Sequence, residues 1–226
     1  LGAGVSTSFE QYKDLYTSLG VDVSYDDLIT QKSASETLKK QKGQFTELAG
    51  VYGFSYDRRN RAFMPTSGSI IKFRQSLPVI ADKAFIANTF SSSIYKSITE
   101  DVVGATKIYL SSIDGIGADN VRLSKRLSLP SRRVRGFERG KIGPRDGSDH
   151  VGGNHAAALN FELNLPTLLP ESTKTDVGLF LDFANVWGVD YDTTLSESNK
   201  LRSSTGVSAS WLSPLGPMSF ILSTNL

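Results

Sequence analysis

Alternation of apolar and polar side chains with a period of two dominates this chain and predicts an all-β protein. In the segment 177–184, bulky apolar residues lie on one face and mainly small or polar residues on the other: Val177, Leu179, Leu181 and Phe183 against Gly178, Phe180, Asp182 and Ala184. Segments 157–165 and 204–212 alternate in the same way. The pattern predicts ten strands, at about 2–9, 18–27, 45–56, 66–77, 84–97, 102–113, 152–165, 174–188, 203–212 and 217–226.

The chemistry of the two faces favours a transmembrane antiparallel β-barrel over a soluble sandwich. Lipid outside and water inside select an apolar outer face and a small, polar inner face. The polar faces of these segments carry mainly Gly, Ser, Ala and Asn, whereas the wet face of a sandwich more often carries Lys, Glu and Thr. We predict that five residues face lipid: Phe161, Leu163, Leu179, Leu181 and Phe183.

The connections between the predicted strands alternate in length. Long ones, near 28–44, 114–151 and 189–202, fall on one side of the sheet by parity, and tighter turns such as 98–101 and 213–216 fall on the other. Outer-membrane barrels have this layout. The one helical pattern lies in the first of these loops, where Ser33 and Glu36 have the spacing of a capping box.

Composition excludes several functions. The chain has 226 residues, a net charge of +2, no Cys and two His. Disulfides, thiol catalysis and Cys-based metal sites are therefore absent, and His150 and His155 fall short of the three or four ligands that zinc needs. The net charge is too small to argue for nucleic-acid binding. The sequence contains no apolar run of 18 residues and so does not predict a transmembrane helix. We expect neither an enzyme nor a metal, cofactor or nucleic-acid binder.

The connection at 114–151, called the long loop below, holds the most unusual motif of the chain, Val134-Arg135-Gly136-Phe137. Connections of that length are rare in compact domains unless they are functional or disordered. Arg135 lies between the apolar residues Val134 and Phe137, and exposing these two side chains to solvent would forgo the favourable free energy of burying them. We therefore expect residues of about 125–145 to fold into the barrel lumen.

This motif resembles the signature loop of BamA-type outer-membrane β-barrel assembly factors, whose sixth outer loop folds back into the barrel. Further stretches agree with that family in order and spacing, so that the resemblance runs roughly from Leu48 to Leu222. The matching structural positions are Asp57, Arg58, Pro65, Gly68, Gly152, Gly153, Trp187, Gly206 and Trp211.

The resemblance implies a domain layout. Ten strands with an open edge would leave unpaired backbone groups in lipid. We expect residues 1–226 to be the C-terminal part of a barrel domain of about sixteen strands, an even count typical of such barrels. The long loop would fold into its lumen, with no separate second domain in this chain.

Residues 137–144 look most like the mitochondrial branch of the family, the barrel core subunit of the sorting and assembly machinery, and its fungal type in particular. That likeness implies the mitochondrial outer membrane as location, with a bacterial outer membrane as the alternative. It implies β-barrel precursor polypeptides, metaxin-like receptor subunits, the outer-membrane translocase and the lipid bilayer as partners.

The resemblance also implies that Arg135 pairs with inward carboxylates, which map to Glu162 and Asp182. Both acids fall on the small, polar face of their strands, and an acid on the lipid face would cost about 2 kcal/mol or more. A guanidinium offers carboxylates a planar pair of donors. The alternative is that both acids are merely solvated lumen charges.

The implied function is insertion of β-barrel precursors into a membrane. An incoming strand cannot enter lipid without hydrogen-bond partners, and a weak barrel seam can lend its edge as a template. Two alternatives remain open: a passive or polypeptide-translocating pore of the same superfamily in a bacterial or plastid outer membrane, and a soluble β-sandwich that binds a partner.

Overall fold

A computed structural model of the chain describes residues 1–34, 36–173, 175–191, 195, 200–214 and 216–226. Its elements in chain order are β1 (Gly2–Tyr12), β2 (Leu15–Leu28), α1 (Glu36–Lys39), β3 (Gly43–Asp57), β4 (Gly68–Ala81), β5 (Phe85–Ser97), β6 (Val103–Gly115), a 3-10 turn (Leu123–Lys125), β7 (Arg145–Asp146), β8 (Asp149–His150), β9 (His155–Leu165), a 3-10 turn (Glu171–Thr173), β10 (Thr175–Trp187), β11 (Arg202–Ser213) and β12 (Gly216–Asn225).

Ten of these strands form one antiparallel sheet in the order β1-β2-β3-β4-β5-β6-β9-β10-β11-β12, and β7 pairs only with β8. The all-β prediction is confirmed, and each predicted strand is present. The first hairpin is longer than predicted, because pairing continues through Glu10 and Tyr16 to Tyr12 and Leu15. Asp14 closes this tight turn with a φ of 66°, a conformation that Asp tolerates better than most residues.

The two faces of the sheet differ as the alternation predicts. Along β10, Asp182 is fully buried and Leu179 is 50% exposed. The five residues predicted to face lipid all lie on the outer face, which is opposite the long loop. The inner face carries small or polar residues at most positions, among them Gly4, Ser18, Gly53, Ser76, Ser91, Asn160, Gly178, Ser208 and Ser223.

The connections follow the predicted alternation, with two exceptions. Segments 29–42, 116–154 and 188–201 join strands at one rim of the sheet. The short connection 82–84 lies at the same rim, and 58–67 is longer than the other turns of the opposite rim. The predicted helix forms as α1, but the Glu36 side chain of the proposed capping box lies outside the described part. None of the described helices is long and apolar enough to cross a membrane.

The long loop packs on the inner face of the sheet and supplies half of the main apolar core. Leu129, Val134 and Ile142 of the loop are buried, and they pack against four strand residues: Ala156, Ala158, Ala184 and Val186. Because the alanines on β9 and β10 are small, the loop can approach these strands closely. No empty space is then left between loop and sheet, as the close packing of protein interiors requires. The core therefore lies between the loop and the wall of the sheet.

The anchored loop as a candidate functional site

Arg135 is held by Asp182 at the centre of this interface. Its backbone N–H donates to Asp182 Oδ2 at 3.0 Å, its Nε to the same oxygen at 2.8 Å and its Nη2 to Oδ1 at 2.6 Å. Arg135 is 7% exposed and Asp182 is 0% exposed. A planar guanidinium that meets both oxygens of a carboxylate is the strongest geometry available to this pair.

Glu162 completes the charge balance of the site. It accepts from Arg135 Nη1 at 2.9 Å and from Lys107 Nζ at 2.5 Å. Two cations and two carboxylates therefore neutralise each other. Burial alone would lower the pKa of Arg135, but its hydrogen bonds to Asp182 and the charge of Glu162 raise that pKa above the ordinary arginine value. The arginine stays cationic while it is buried.

Two further side chains fix the orientation of the ion pair. The Arg135 guanidinium lies over the ring of Phe180, 3.7 Å from its centroid, which favours a cation electrostatically. Asn160 Nδ2 donates to Asp182 Oδ1 at 2.8 Å and to the carbonyl of Arg133 at 2.8 Å. The amide therefore ties the loop backbone to the same carboxylate that holds Arg135.

The glycine of the motif is needed at its position. Gly136 has a φ of 84°, which L side chains rarely adopt. A Cβ there would also lie 2.8 Å from the side chains of Ser223 and Asn225. The loop thus turns directly after Arg135 while it touches β12. Phe137 is partly buried and packs against the core below the loop.

The structure brings Gly206 into the same site from β11. A Cβ on Gly206 would lie 2.9 Å from Phe180 Cζ and 2.0 Å from the carbonyl oxygen of Leu222. Gly206 therefore leaves the space in which Phe180 lies beneath Arg135.

The Gly152-Gly153 pair lies where the long loop returns to the sheet. Gly153 forms a bridge with Leu127 of the loop, and a Cβ on it would lie 2.5 Å from the Trp187 carbonyl oxygen. A Cβ on Gly152 would lie 2.7 Å from the Leu127 carbonyl oxygen. Trp187 ends β10, and its ring centroid is 5.7 Å from that of His155.

The Asp57–Gly68 stretch lies at the opposite rim. Asp57 accepts from Arg59 Nε at 2.9 Å and Nη2 at 2.7 Å, while Arg58 lies 3.7 Å from Asp14. A Cβ on Gly68 would lie 2.0 Å from the Arg58 carbonyl oxygen. This stretch forms a compact turn and takes no part in the ion cluster.

Pro65 and its neighbours Phe63 and Met64 nevertheless line a cavity of about 290 Å³ together with Arg135 and Glu162. Trp211 lies apart from the loop, on the outer face, where its ring stacks on Phe220 at 5.0 Å. Of the positions named from sequence, the ion cluster therefore brings together Arg135, Glu162 and Asp182, with Gly136 and Gly206 beside them.

Sequence reasoning missed three members of the site. Asn160 and Phe180 share the parity of Glu162 and Asp182 along β9 and β10, so alternation alone could have found them. Lys107 lies on β6, opposite Asn160. Its place depends on how β6 and β9 pair across the long loop, which alternation does not show.

Comparisons with known proteins identify relatives of the chain. The model of the Omp85 superfamily domain matches residues 1–226. The outer membrane protein assembly factor BamA of Neorickettsia risticii is 28% identical over 222 residues, which cover 96% of this chain and 30% of that protein. The sorting and assembly machinery component 50 homolog of Mus musculus is 26% identical over 168 residues, 73% of this chain and 36% of that protein.

A solved structure shares the fold. The crystal structure of BamA from Haemophilus ducreyi lacking POTRA domains 1-3 matches with a TM-score of 0.86 and 23% identity, over 100% of this chain and 50% of that one. The chain thus spans half of the crystallised protein and about a third of the length of the two relatives.

Proposed function

The chain belongs to the Omp85 superfamily, and from that premise we propose that it acts in the assembly of β-barrel precursor proteins into an outer membrane. No covalent chemistry is needed. A precursor strand gains backbone hydrogen bonds from a strand edge before it meets lipid, and this removes the main barrier to its insertion.

The anchored loop is the observation that carries this proposal. Arg135, Glu162, Asp182 and Lys107 hold the loop against the inner face, where an open conduit would need free space. Because the loop occupies the inner face, the structure supports assembly of precursor strands at a strand edge over passive conduction through the lumen. In the proposed assembly step a precursor strand pairs with a strand edge of the barrel, because unpaired strand edges accept further strands.

The mitochondrial outer membrane is the finer part of the proposal. It is supported by the Phe137–Pro144 continuation of the motif and by the likeness to sorting and assembly machinery components of animals. In that setting the partners are β-barrel precursors, metaxin-like receptor subunits and the outer-membrane translocase. The BamA of Neorickettsia risticii matches more of the chain, so a bacterial outer membrane is the alternative setting.

Reconstitution tests the assembly activity. The full-length protein in liposomes should accelerate folding of an added, urea-unfolded β-barrel client, measured as the heat-modifiable band on a gel. Empty liposomes and liposomes with the Asp182→Asn variant are the controls. Equal folding rates in all three samples would contradict the proposal, and membrane fractionation of the source cells decides between the two settings.

A further inference from the structure

A second buried ion cluster joins the long loop to the opposite wall of the sheet. Glu47 of β3 is 3% exposed and accepts from Arg122 Nη2 at 3.2 Å and from Lys125 Nζ at 2.8 Å. Both cations belong to the first part of the loop. A carboxylate so deeply buried is costly unless it is paired, and among the described residues its partners come from the loop and from Ser24 Oγ at 3.4 Å.

The cations of this cluster are themselves held on several sides. Arg122 is 5% exposed, lies 3.5 Å from Asp26 of β2 and has its guanidinium 4.9 Å from the Phe45 ring centroid. Lys125 also donates to Ser24 at 3.0 Å. Two cations and two carboxylates again balance, so this contact repeats the design of the Arg135 cluster with different strands.

The two clusters lie far apart in the sheet. The first part of the loop is bound to β2 and β3, whereas Arg135 is bound to β9 and β10. The strands β4, β5 and β6 separate these walls. We propose that the segment 122–135 is a brace across the inner face, and that Glu47 is its second positioning residue, which fixes the distance between the β3 wall and the β10 wall.

Contacts between the two anchors allow the segment to transmit such a constraint. Leu127 pairs with Gly153, and Arg126 is ion-paired with Asp190 and donates to Asn154 Oδ1 at 2.8 Å. Leu129 and Val134 are buried in the core beneath the loop. The segment is therefore held by buried side chains at intervals between its two anchors, and close-packed contacts of this kind transmit strain from one anchor to the other.

Spin labels on the outer face measure the separation directly. The chain has no cysteine, so Leu48→Cys on β3 and Phe183→Cys on β10 give one defined pair, once any cysteine elsewhere in the full-length protein is replaced. Electron–electron distances are recorded in nanodiscs without client. We expect Glu47→Gln to broaden the distance distribution and to shift its mean, and Lys125→Gln to act in the same direction more weakly.

Limited trypsin digestion reads the loop itself. In Glu47→Gln, cleavage after Arg122 and Lys125 should become at least about tenfold faster. The substitution removes the buried carboxylate and leaves both cations without that partner, which is strongly destabilising. Cleavage after Arg135 should change less, since its own anchor is intact. Arg74→Gln is the matched control, because Arg74 pairs with Asp22 at 3.0 Å on the same wall with both side chains at least half exposed; it should change neither measurement.

An unchanged distance distribution in Glu47→Gln would overturn the brace, even with faster cleavage, because the contact would then be local. If Glu47→Gln does not fold, Lys125→Gln decides by the same criterion. Neither measurement uses a client protein. The brace rests on the proposed function only for its effect on client assembly. If Glu47→Gln changes the distance as expected but the protein does not accelerate client folding in liposomes, the proposed function alone is contradicted.

Discussion

Replacing Asp182 by asparagine perturbs the loop anchor most cleanly, since the change removes a charge and almost no volume. Asp182 now accepts four hydrogen bonds, three from Arg135 and one from Asn160. Asparagine has one acceptor oxygen, so one of the side-chain N–H donors of Arg135 would face the amide NH2 group, which only donates. In the part of the chain that the structure describes, Glu162 would remain as the one charged partner of the arginine.

The size of the effect follows from these contacts. One charge-assisted hydrogen bond is worth about 1.5–3 kcal/mol, so Asp182→Asn should shift the loop about ten- to hundredfold toward an undocked state. Arg135→Ala should cost more, about 3–5 kcal/mol, because it leaves a fully buried carboxylate with Asn160 as its one hydrogen-bond donor among the described side chains. Arg135→Lys should rescue poorly, since an ammonium keeps the charge and loses the planar pair of donors.

Hydrogen exchange of the loop amides in nanodiscs measures these shifts, and a double-mutant cycle isolates the pair. The variants are Arg135→Ala, Asp182→Asn and their combination, with Arg74→Ala as a control at an exposed ion pair. We expect the double variant to be less damaged than the sum of the singles. A coupling of zero with Asp182, and again with Glu162, would refute the anchor and assign the arginine another role.

Two further predictions concern the surroundings of the site. Gly206→Ala should destabilise the sheet, because its Cβ would lie 2.0 Å from the β12 backbone, whereas Gly50→Ala, with its nearest contact at 3.7 Å, should not; thermal unfolding compares them. Burial raises the pKa of Asp190, but hydrogen bonds from Val121 N–H and Arg126 outweigh it and lower the pKa below the ordinary value. This contact should thus stabilise the loop at neutral pH and weaken only as pH falls below the usual aspartate range, which exchange of the Val121 amide would show.

Much of the sheet and part of the site could be read from the sequence, for one physical reason. A strand whose two faces meet different solvents must alternate, and alternation places Glu162 and Asp182 on the inner face together with Asn160 and Phe180. Alternation does not fix register, because a slip by two residues keeps every side chain on its face. For that reason Lys107 could not be assigned to the cluster.

The contact between Glu47 and Arg122 is beyond sequence reasoning for a further reason. The two residues are 75 positions apart, and their approach depends on the curvature of the whole sheet between β3 and β9. Each residue taken alone is a charged side chain of a kind that is usually solvated. Only the folded sheet shows that both are buried and that each is the other's partner.

The site also joins the loop to the end strand of the sheet through a short series of contacts. Arg135 lies on Phe180, Phe180 occupies the space left by Gly206, and Gly206 lies against the backbone of Leu222 in β12. On the other side of the arginine, Gly136 touches Ser223 of the same strand. Because packed interiors do not deform smoothly, release of Arg135 must change the support of β12. A loop anchor placed here therefore acts on β12 as well as on the loop.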